Sequence, residues 1–232
     1  MTSAVPTIED YLESFQQLPK IEGTPTYESL TTIRDILKAN AASVPSTRGG
    51  GANGYLGLVV TAASYDMIAP GTPFDHPPFP GVQPNIPPNS TAAQINEIVR
   101  VHNEAKREWR ECDNVDKALK KQLTDAVDKI YLRSLRDRHT GFANVTLLAM
   151  LTLLFTSYGD LTAQDLADNN LAFTKPWDPN TPFETLIDQM ENGREIAEAG
   201  NQPITEAQLL NTAYVLVYNT GLYFNDCKLW DR

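Results

Sequence analysis

Three histidines and two cysteines are the residues of this sequence whose side chains are best suited to catalysis or metal binding. His76 lies in a proline-rich stretch, His102 lies among arginine and glutamate residues, and His139 is two residues before Gly141. A catalytic or metal-binding histidine needs a second polar group facing it. Because no such pattern surrounds the three, we interpret them as surface or helix-end residues.

The carboxylates and cysteines form no recognisable site either. Glu104 and Glu108 share a helix face, but a carboxylate metal site in a helical bundle also needs Glu-x-x-His partners, and the sequence contains none. Cys112 and Cys227 have no His or Cys partner at metal-ligand spacing. The H-E-x-x-H, G-x-S-x-G and aspartic-protease motifs are missing from the sequence. We therefore expect a structural or binding protein and not an enzyme, with no cofactor, metal or small-molecule substrate.

One passage, Gly49-Gly-Gly-Ala-Asn-Gly54, satisfies the G-x-G-x-x-G pattern of dinucleotide-binding loops. Such a loop has a strand before it and a helix after it. Here a helical pattern precedes the passage and an apolar run follows it. We interpret the glycines as a flexible turn.

A local excess of positive charge precedes an acidic region. Residues 111–140 carry 7 bases and 6 acids, whereas residues 141–232 carry 4 bases and 12 acids, within a formal net charge of −10. The acidic region should repel nucleic acid. The candidates for RNA contact are Lys117, Lys120, Lys121, Lys129, Arg133, Arg136 and Arg138. A solvated helix face is the alternative, because acids are interleaved with these bases.

Hydrophobic periodicity predicts one helix beneath these bases. Apolar residues recur at steps of three and four from Val115 to Leu135, which places them on one helix face. Gly141 is expected to end the helix in a left-handed conformation. The charged face is predicted to form ion pairs between residues four apart. The three pairs are Asp113 with Lys117, Asp116 with Lys120, and Asp125 with Lys129.

The segment from Asn144 to Tyr158 is predicted to be the central helix of the protein. Its apolar run is nearly continuous, so other helices must cover it. It is shorter than the roughly 20 apolar residues of a membrane span, and we expect no membrane contact. Its core residues are predicted to be Leu147, Leu148, Leu151, Leu154, Phe155 and Tyr158.

Cap and proline signals predict the elements before this helix. Residues 1–25 are expected to form a loosely ordered arm with a short helix from Ile8 to Leu18, and a second helix from Tyr27 ends before Pro45. A Gly/Pro-rich loop over 45–90 follows, with half of the 16 prolines in its later part. We expect it to lie extended and to pack four apolar side chains, or alternatively to bind a partner as a polyproline ligand. The four side chains are Phe74, Phe79, Val82 and Ile86.

Residues 91–232 are predicted to be a helical core, with a subdivision near residue 159 left open. Threonine cap signals predict four helix starts there. They lie at Thr91, Thr162, Thr181 and Thr205. The predicted fold class is all-α, a multi-helix capsid-like bundle with a Gly/Pro-rich extended segment between its N-terminal and central helices. The N-terminus shows no secretory signal, and we expect a cytoplasmic protein.

From residue 27 to residue 230 the sequence contains an ordered series of passages that resembles one family. They are Asn40-Ala-Ala-Ser-Val-Pro45, Gly49-Gly-Gly-Ala-Asn-Gly-Tyr-Leu-Gly-Leu58, Thr72-Pro-Phe74 with Pro80-Gly81, Leu147-Leu-x-x-Leu-x-x-Leu-Phe-x-x-Tyr-Gly159, Asn169, Lys175-Pro-Trp-Asp-Pro-Asn-Thr-Pro-Phe183, Gly200-Asn-Gln-Pro-Ile204, and Ala213-Tyr with Thr220-Gly221. In this order and spacing they resemble the Gag capsid polyprotein of copia-type LTR retrotransposons, in the version found in algal and other protist genomes.

The resemblance implies a Gag-like helical domain over 26–232 that self-associates into the shell of a virus-like particle and packages the RNA of its element. Members usually continue beyond the region matching Trp230 into further helices and often a C-x2-C-x4-H-x4-C zinc knuckle, a pattern this sequence lacks. Two alternatives remain open. One is a non-assembling helical binding module, such as a truncated or domesticated Gag fragment, and the other is a helical enzyme of an uncharacterised kind.

Overall fold

The computed structural model describes residues 5–230, without the side chains at positions 224, 228 and 230. This part of the chain is all-α, as predicted, with no β-strand and nine helices. The helices are α1 (Ile8–Ser14), α2 (Tyr27–Ser43), α3 (Ala62–Ile68), α4 (Ala92–Ala126), α5 (Leu147–Tyr158), α6 (Ala163–Phe173), α7 (Glu184–Ala199), α8 (Glu206–Asn219) and α9 (Phe224–Trp230). The chain separates into two compact units, Met1–Gly159 and Asp160–Arg232, which we call the first and second unit.

The core of the first unit forms where α2, α4 and α5 meet. Each helix contributes side chains with no exposed surface, such as Leu37 from α2, Leu119 from α4 and Leu154 from α5. Of the core residues predicted on α5, Leu147, Leu151 and Leu154 are buried, whereas Leu148, Phe155 and Tyr158 are half-buried. The helix begins after Thr146, whose hydroxyl accepts a hydrogen bond from the Ala149 amide at 3.1 Å, three residues later than predicted.

Helix α4 corrects the sequence analysis at its C-terminal end. It begins at the predicted Thr91 capping box and runs for 35 residues, but it ends at Ala126 and not near Gly141. The carbonyl of Ala126 accepts a hydrogen bond from the amide of Ile21 at 2.9 Å. Val127 and Leu132 then turn into the core, where both are buried. Tertiary contacts therefore end this helix, because no glycine or proline signal marks its last turn.

Gly141 has the predicted left-handed backbone, with φ of 61°, but its role differs from the prediction. It closes a turn in which its amide and carbonyl form hydrogen bonds with the carbonyl and amide of Asp137, at 3.1 and 2.9 Å. Residues 127–146 thus form an irregular segment, apart from a short 3-10 turn over Arg133–Leu135.

Of the predicted loosely ordered arm, residues 1–25, the first four lie outside the described residues, and the rest differs from the expectation. From residue 5 onward it packs against the first unit, with Tyr11 7% and Phe15 5% exposed. Helix α1 begins at Ile8, as predicted, after an N-cap at Thr7 that forms a capping box with Asp10, and it ends at Ser14 instead of Leu18. Burial of two aromatic rings stabilises this packing by several kcal/mol, on the order of 25 cal/mol per Å² of apolar surface.

A buried polar cluster fixes the chain that follows α1. The Asn40 side chain accepts a hydrogen bond from the Gln16 amide at 2.9 Å and donates to the Gln16 carbonyl at 2.8 Å. It also donates to the Gln122 side chain at 3.0 Å, and Gln122 donates to the same Gln16 carbonyl at 3.0 Å. Asn40 and Gln122 are the two buried polar residues of the described chain, and together they satisfy the backbone of Gln16.

The Gly/Pro-rich segment packs only part of the apolar side chains assigned to it. Phe74 is half-buried and forms edge-to-face contacts with Tyr55 and Tyr65, with ring centroids 6.3 and 5.9 Å apart. Phe79 contacts the Trp109 ring at 4.7 Å but remains 51% exposed. Two others are exposed, at 77% for residue 82 and 43% for residue 86. The segment is therefore anchored at its beginning and exposed at its end.

The second unit is smaller and packs α6, α7 and α8 around Trp177. The Trp177 ring nitrogen donates to the Thr185 hydroxyl at 3.1 Å. The predicted capping boxes at Thr162 and Thr205 are confirmed. The cap predicted at Thr181 is wrong, because its hydroxyl donates to the Asp178 carbonyl at 2.6 Å and α7 begins three residues later. The core residues of the unit are Phe173, Trp177, Leu186, Met190 and Leu216.

Candidate interaction surfaces

The structure divides the seven predicted RNA-contact residues between two elements. Three lie on α4, and four lie in the irregular segment that follows it. The α4 group consists of Lys117, Lys120 and Lys121. The second group consists of Lys129, Arg133, Arg136 and Arg138. The single basic helix face predicted from the sequence does not exist, because α4 ends at Ala126.

The lysines on α4 are each held by an acid on the same helix. Lys117 contacts Asp113 at 2.6 Å and Lys120 contacts Asp116 at 2.8 Å, which confirms two of the predicted ion pairs. The third predicted pair, between Asp125 and Lys129, is wrong. Asp125 contacts Lys121 at 2.7 Å instead, because position 129 lies beyond the end of the helix.

Lys120 is the least exposed of these lysines, and its role is structural. Its side chain is 15% exposed, and its ammonium group also donates to the Val145 carbonyl at 3.1 Å. This contact ties α4 to the residues that lead into α5. An ammonium group shared between a carboxylate and a carbonyl has little capacity left for an external phosphate.

The four other bases lie in what we call the basic loop, residues 128–140. All four are exposed, and none forms an ion pair with another residue of the described chain. The two carboxylates of the loop accept backbone hydrogen bonds instead. Asp128 accepts from the Ile130 amide at 3.0 Å, and Asp137 accepts from the amides of Thr140 and His139 at 2.8 Å.

These bonds hold the pKa of Asp137 below its ordinary value of 3.8, with the Thr140 amide as the largest cause and the His139 amide next. The carboxylate therefore stays charged at neutral pH and is committed to the turn. The basic loop presents four unpaired cations against two carboxylates that are already hydrogen-bonded.

An apolar groove crosses the first unit between α2, α3 and α5. It encloses about 440 Å³, and its walls include Val59, Leu148 and Phe155. The guanidinium of Arg34 lies 5.4 Å from the centre of the Phe155 ring, a cation-π contact at the rim. This groove was not predicted, because α5 was expected to be covered on every side. The exposed Thr152 and Thr156 are the signal that one face of α5 is open.

The second unit exposes more large apolar side chains than it buries. Among the side chains that the structure describes, nine are exposed, against the five that form its core. The nine are Leu171, Phe183, Ile187, Leu210, Val215, Tyr218, Leu222, Tyr223 and Leu229. The same unit carries 12 acids and 4 bases, a formal charge of −8. The signal in the sequence is α8 itself, where the apolar run from residue 213 to 218 is wider than one helix stripe.

A shallow depression of about 350 Å³ adjoins these residues on α8. Trp177, Val215, Leu216 and Asn211 contribute to its lining. The stacked rings of Tyr214 and Tyr218, 5.9 Å apart, lie one helical turn from one another on α8. Aromatic and aliphatic side chains at a surface are the residue types that protein interfaces use most.

The three histidines have different surroundings. Nδ1 of His76 is 3.2 Å from the Pro77 carbonyl, Nε2 of His102 is buried without a hydrogen-bond partner, and His139 is exposed in the turn at Asp137. No group of three or more potential metal ligands occurs within residues 5–230.

The two cysteines are buried and unpaired. Burial raises the pKa of the Cys112 thiol to about 12, with the charge of Asp116 as the next cause. A thiol with so high a pKa is a poor nucleophile. None of the helices in the described part of the chain is long and apolar enough to cross a membrane. Searches of protein-family models, curated proteins and solved structures found no match to this chain.

Proposed function

We propose that this protein is a Gag-like capsid subunit that self-associates into the shell of a retrotransposon virus-like particle and encloses the element's RNA. The observation that carries the proposal is the surface of the second unit, where nine large apolar side chains are exposed and five form the core among those described. Apolar side chains exposed in this density are typical of surfaces that bind another protein. The ordered resemblance of the sequence to copia-type Gag supports a second copy as that protein.

Contacts between copies can extend indefinitely when two different surfaces meet. A heterologous contact whose rotation does not close a small ring produces shells, sheets or filaments. The second unit offers apolar residues on more than one element, for example Leu171 on α6, Ile187 on α7 and Leu210 on α8. Several weak contacts per subunit are what a shell requires.

The charge of the second unit sets the condition for association. At −8 it repels its own copies, and the repulsion extends over about 30 Å at 0.01 M salt but only about 3 Å at 1 M. Apolar contacts are not weakened by salt in this way. We therefore expect association to increase with ionic strength in the absence of RNA.

A variant of α8 tests the proposal. Leu210→Ser with Val215→Ser removes two side chains that are 47% and 42% exposed, so the fold should persist. Ala207→Ser, at an exposed position of the same helix outside the depression, is the control. Sedimentation velocity and negative-stain electron microscopy in high salt should show large assemblies for the parent and the control and small species for the double variant. If the double variant assembles at the same concentrations as the parent, Leu210 and Val215 do not contribute to self-association.

The second candidate is a non-assembling binding module that recruits a partner through the proline-rich segment. The exposure of Phe79, Val82 and Ile86 favours it, because these side chains follow the anchored part of the segment. A protein that stays monomeric across concentration and salt would support this candidate. In that case the double substitution Phe79→Ser with Val82→Ser should abolish partner binding. The double variant on α8, Leu210→Ser with Val215→Ser, should still bind the partner.

A further inference from the structure

We propose that the basic loop, residues 128–140, binds the phosphate backbone of single-stranded RNA, and that the lysines of α4 do not. The inference deepens the proposed function by naming the residues that contact the enclosed RNA, and it rests on that function for the identity of the RNA. Its starting point is the division of the seven bases into an acid-paired group and an unpaired group.

An existing ion pair reduces the net attraction between a basic side chain and a phosphate. Lys117 and Lys121 contact carboxylates at 2.6 and 2.7 Å. A phosphate approaching either must displace or face that carboxylate, so the net attraction is small. Arg133, Arg136 and Arg138 form no ion pair within the described residues, because Asp137, which lies between the last two in sequence, accepts backbone hydrogen bonds instead. They can release counterions from a nucleic acid without breaking an existing ion pair.

The residue types in the loop also match a phosphate. Three of its four bases are arginines, whose planar guanidinium presents paired N–H donors to two oxygens of one phosphate. The loop backbone is fixed by its own hydrogen bonds, between Asp128 and Ile130 and between Asp137 and Gly141. A fixed backbone lowers the conformational entropy that is lost when side chains bind.

Two rings near the bases favour a single strand of RNA, since Tyr131 lies between Lys129 and Arg133 in sequence and His139 directly follows Arg138. Tyr131 is half-buried, with its ring centre 5.1 Å from that of Tyr158 in an edge-to-face contact, and His139 is exposed. Aromatic rings interleaved with cations are the combination that single-strand binding proteins use to stack bases while holding phosphates. An anionic membrane is a poorer ligand for the loop, because helices and loops that anchor to a membrane surface need a larger apolar face. Ile130, at 64% exposure, is the one large apolar side chain of the described loop that is exposed.

Two variants with the same change in net charge test this inference. The loop variant is Arg133→Ser, Arg136→Ser and Arg138→Ser. The control variant is Lys117→Ser, Lys121→Ser and Arg107→Ser, all on α4 and all ion-paired. Both lose three positive charges. Binding is measured by fluorescence anisotropy with a labelled 20-nucleotide oligouridine at low salt, where we expect the protein to be monomeric or dimeric.

We expect the loop variant to bind the oligonucleotide at least about tenfold more weakly than the parent. The slope of log K against log salt should fall by about 2, since each phosphate contact to a single strand contributes about 0.7. The control variant should differ from the parent by less than about threefold. Circular dichroism checks that both variants fold. A parent that does not bind, or equal losses in both variants, overturns the inference.

Two further measurements separate this inference from its rivals. If the loop variant loses self-association and keeps RNA binding, the loop contacts an acidic surface of a second copy and the inference is wrong. Tighter binding to phosphatidylserine vesicles than to the oligonucleotide would also overturn it. A parent that binds RNA through the loop but never assembles would support the inference and contradict the shell. A failure of RNA binding by the loop can therefore be distinguished from a failure of self-association.

Discussion

Replacing Asn40 with alanine should destabilise the first unit more than any change of equal size at its surface. Asn40 is 4% exposed, and its amide group forms three hydrogen bonds, two with the Gln16 backbone and one with the Gln122 side chain. Alanine removes all three. The Gln16 amide then has no partner among the bonds described, whereas its carbonyl keeps the bond from Gln122.

The size of the effect follows from these bonds. A hydrogen bond contributes about 0.5–1.5 kcal/mol net, so three contribute about 1.5–4.5 kcal/mol. Alanine regains up to about 0.7 kcal/mol because it is a better helix former than asparagine. We expect a loss of about 1–4 kcal/mol, which lowers the melting temperature by several degrees at about 2–4 °C per kcal/mol for a unit of this length.

The matched control is Asn103→Ala, at an exposed position of α4, which measures the gain in helix propensity alone. Because two units can unfold separately, native-state hydrogen exchange resolved by peptide is the appropriate assay. Amides of α1, α2 and the C-terminal half of α4 should lose protection together in Asn40→Ala. Equal protection in Asn40→Ala and Asn103→Ala would show that the polar cluster does not hold the N-terminal segment in place.

Three further predictions concern the first unit. Leu151→Asp should unfold it, because an unpaired buried charge costs several kcal/mol. Thr152→Asp, on the exposed face of α5, should leave the unit folded. Similar unfolding curves for the two variants would place Leu151 at the surface. Gly54→Ala should lower the stability of the unit clearly more than Gly23→Ala. Both glycines have positive φ, but a Cβ at Gly54 would lie within 2.8 Å of three carbonyl oxygens, whereas a Cβ at Gly23 would meet no other atom. Equal melting temperatures for the two variants would contradict the packing at the end of α2. Cys112, with a pKa raised to about 12, should remain a neutral thiol at pH 8 and react with a maleimide only after unfolding. Detection of labelled Cys112 in the native protein by mass spectrometry would contradict its burial.

Local signals predicted the starts of helices well. The capping boxes at Thr91, Thr162 and Thr205 depend on residues three positions apart, so the sequence contains all the information. The apolar run of α5 likewise predicted buried residues, because burial follows periodicity within a single element. These features account for the fold class and for much of the core.

The end of α4 could not be predicted in the same way, and the candidate RNA site depended on it. The helix stops where the Ile21 amide reaches the Ala126 carbonyl and where Val127 and Leu132 enter the core, contacts between residues up to about a hundred positions apart. A periodic pattern that continues past a tertiary stop predicts a helix that is too long. The bases beyond the stop were therefore assigned to a helix face when they lie in a loop.

The packing of the N-terminal segment was missed for a related reason. Its aromatic residues and Asn40 are far apart in sequence, and a lone asparagine in a helix gives no sign that it will bind the backbone of a distant segment. The partner of a buried polar residue is visible only in three dimensions. The exposed apolar residues on α6, α7 and α8 were missed because periodicity shows which face of a helix is more apolar. It does not show whether the opposite face is polar.

Static light scattering across a salt series, from 0.01 M to 1 M in the absence of RNA, tests self-association most directly. We predict a monomer or dimer at low salt and a steep rise in mean mass as screening removes the repulsion between second units of charge −8. Particles seen by electron microscopy at the high-salt end should have a defined curvature. Scattering that stays flat, or that falls as salt is added, would contradict apolar self-association as the function of this protein.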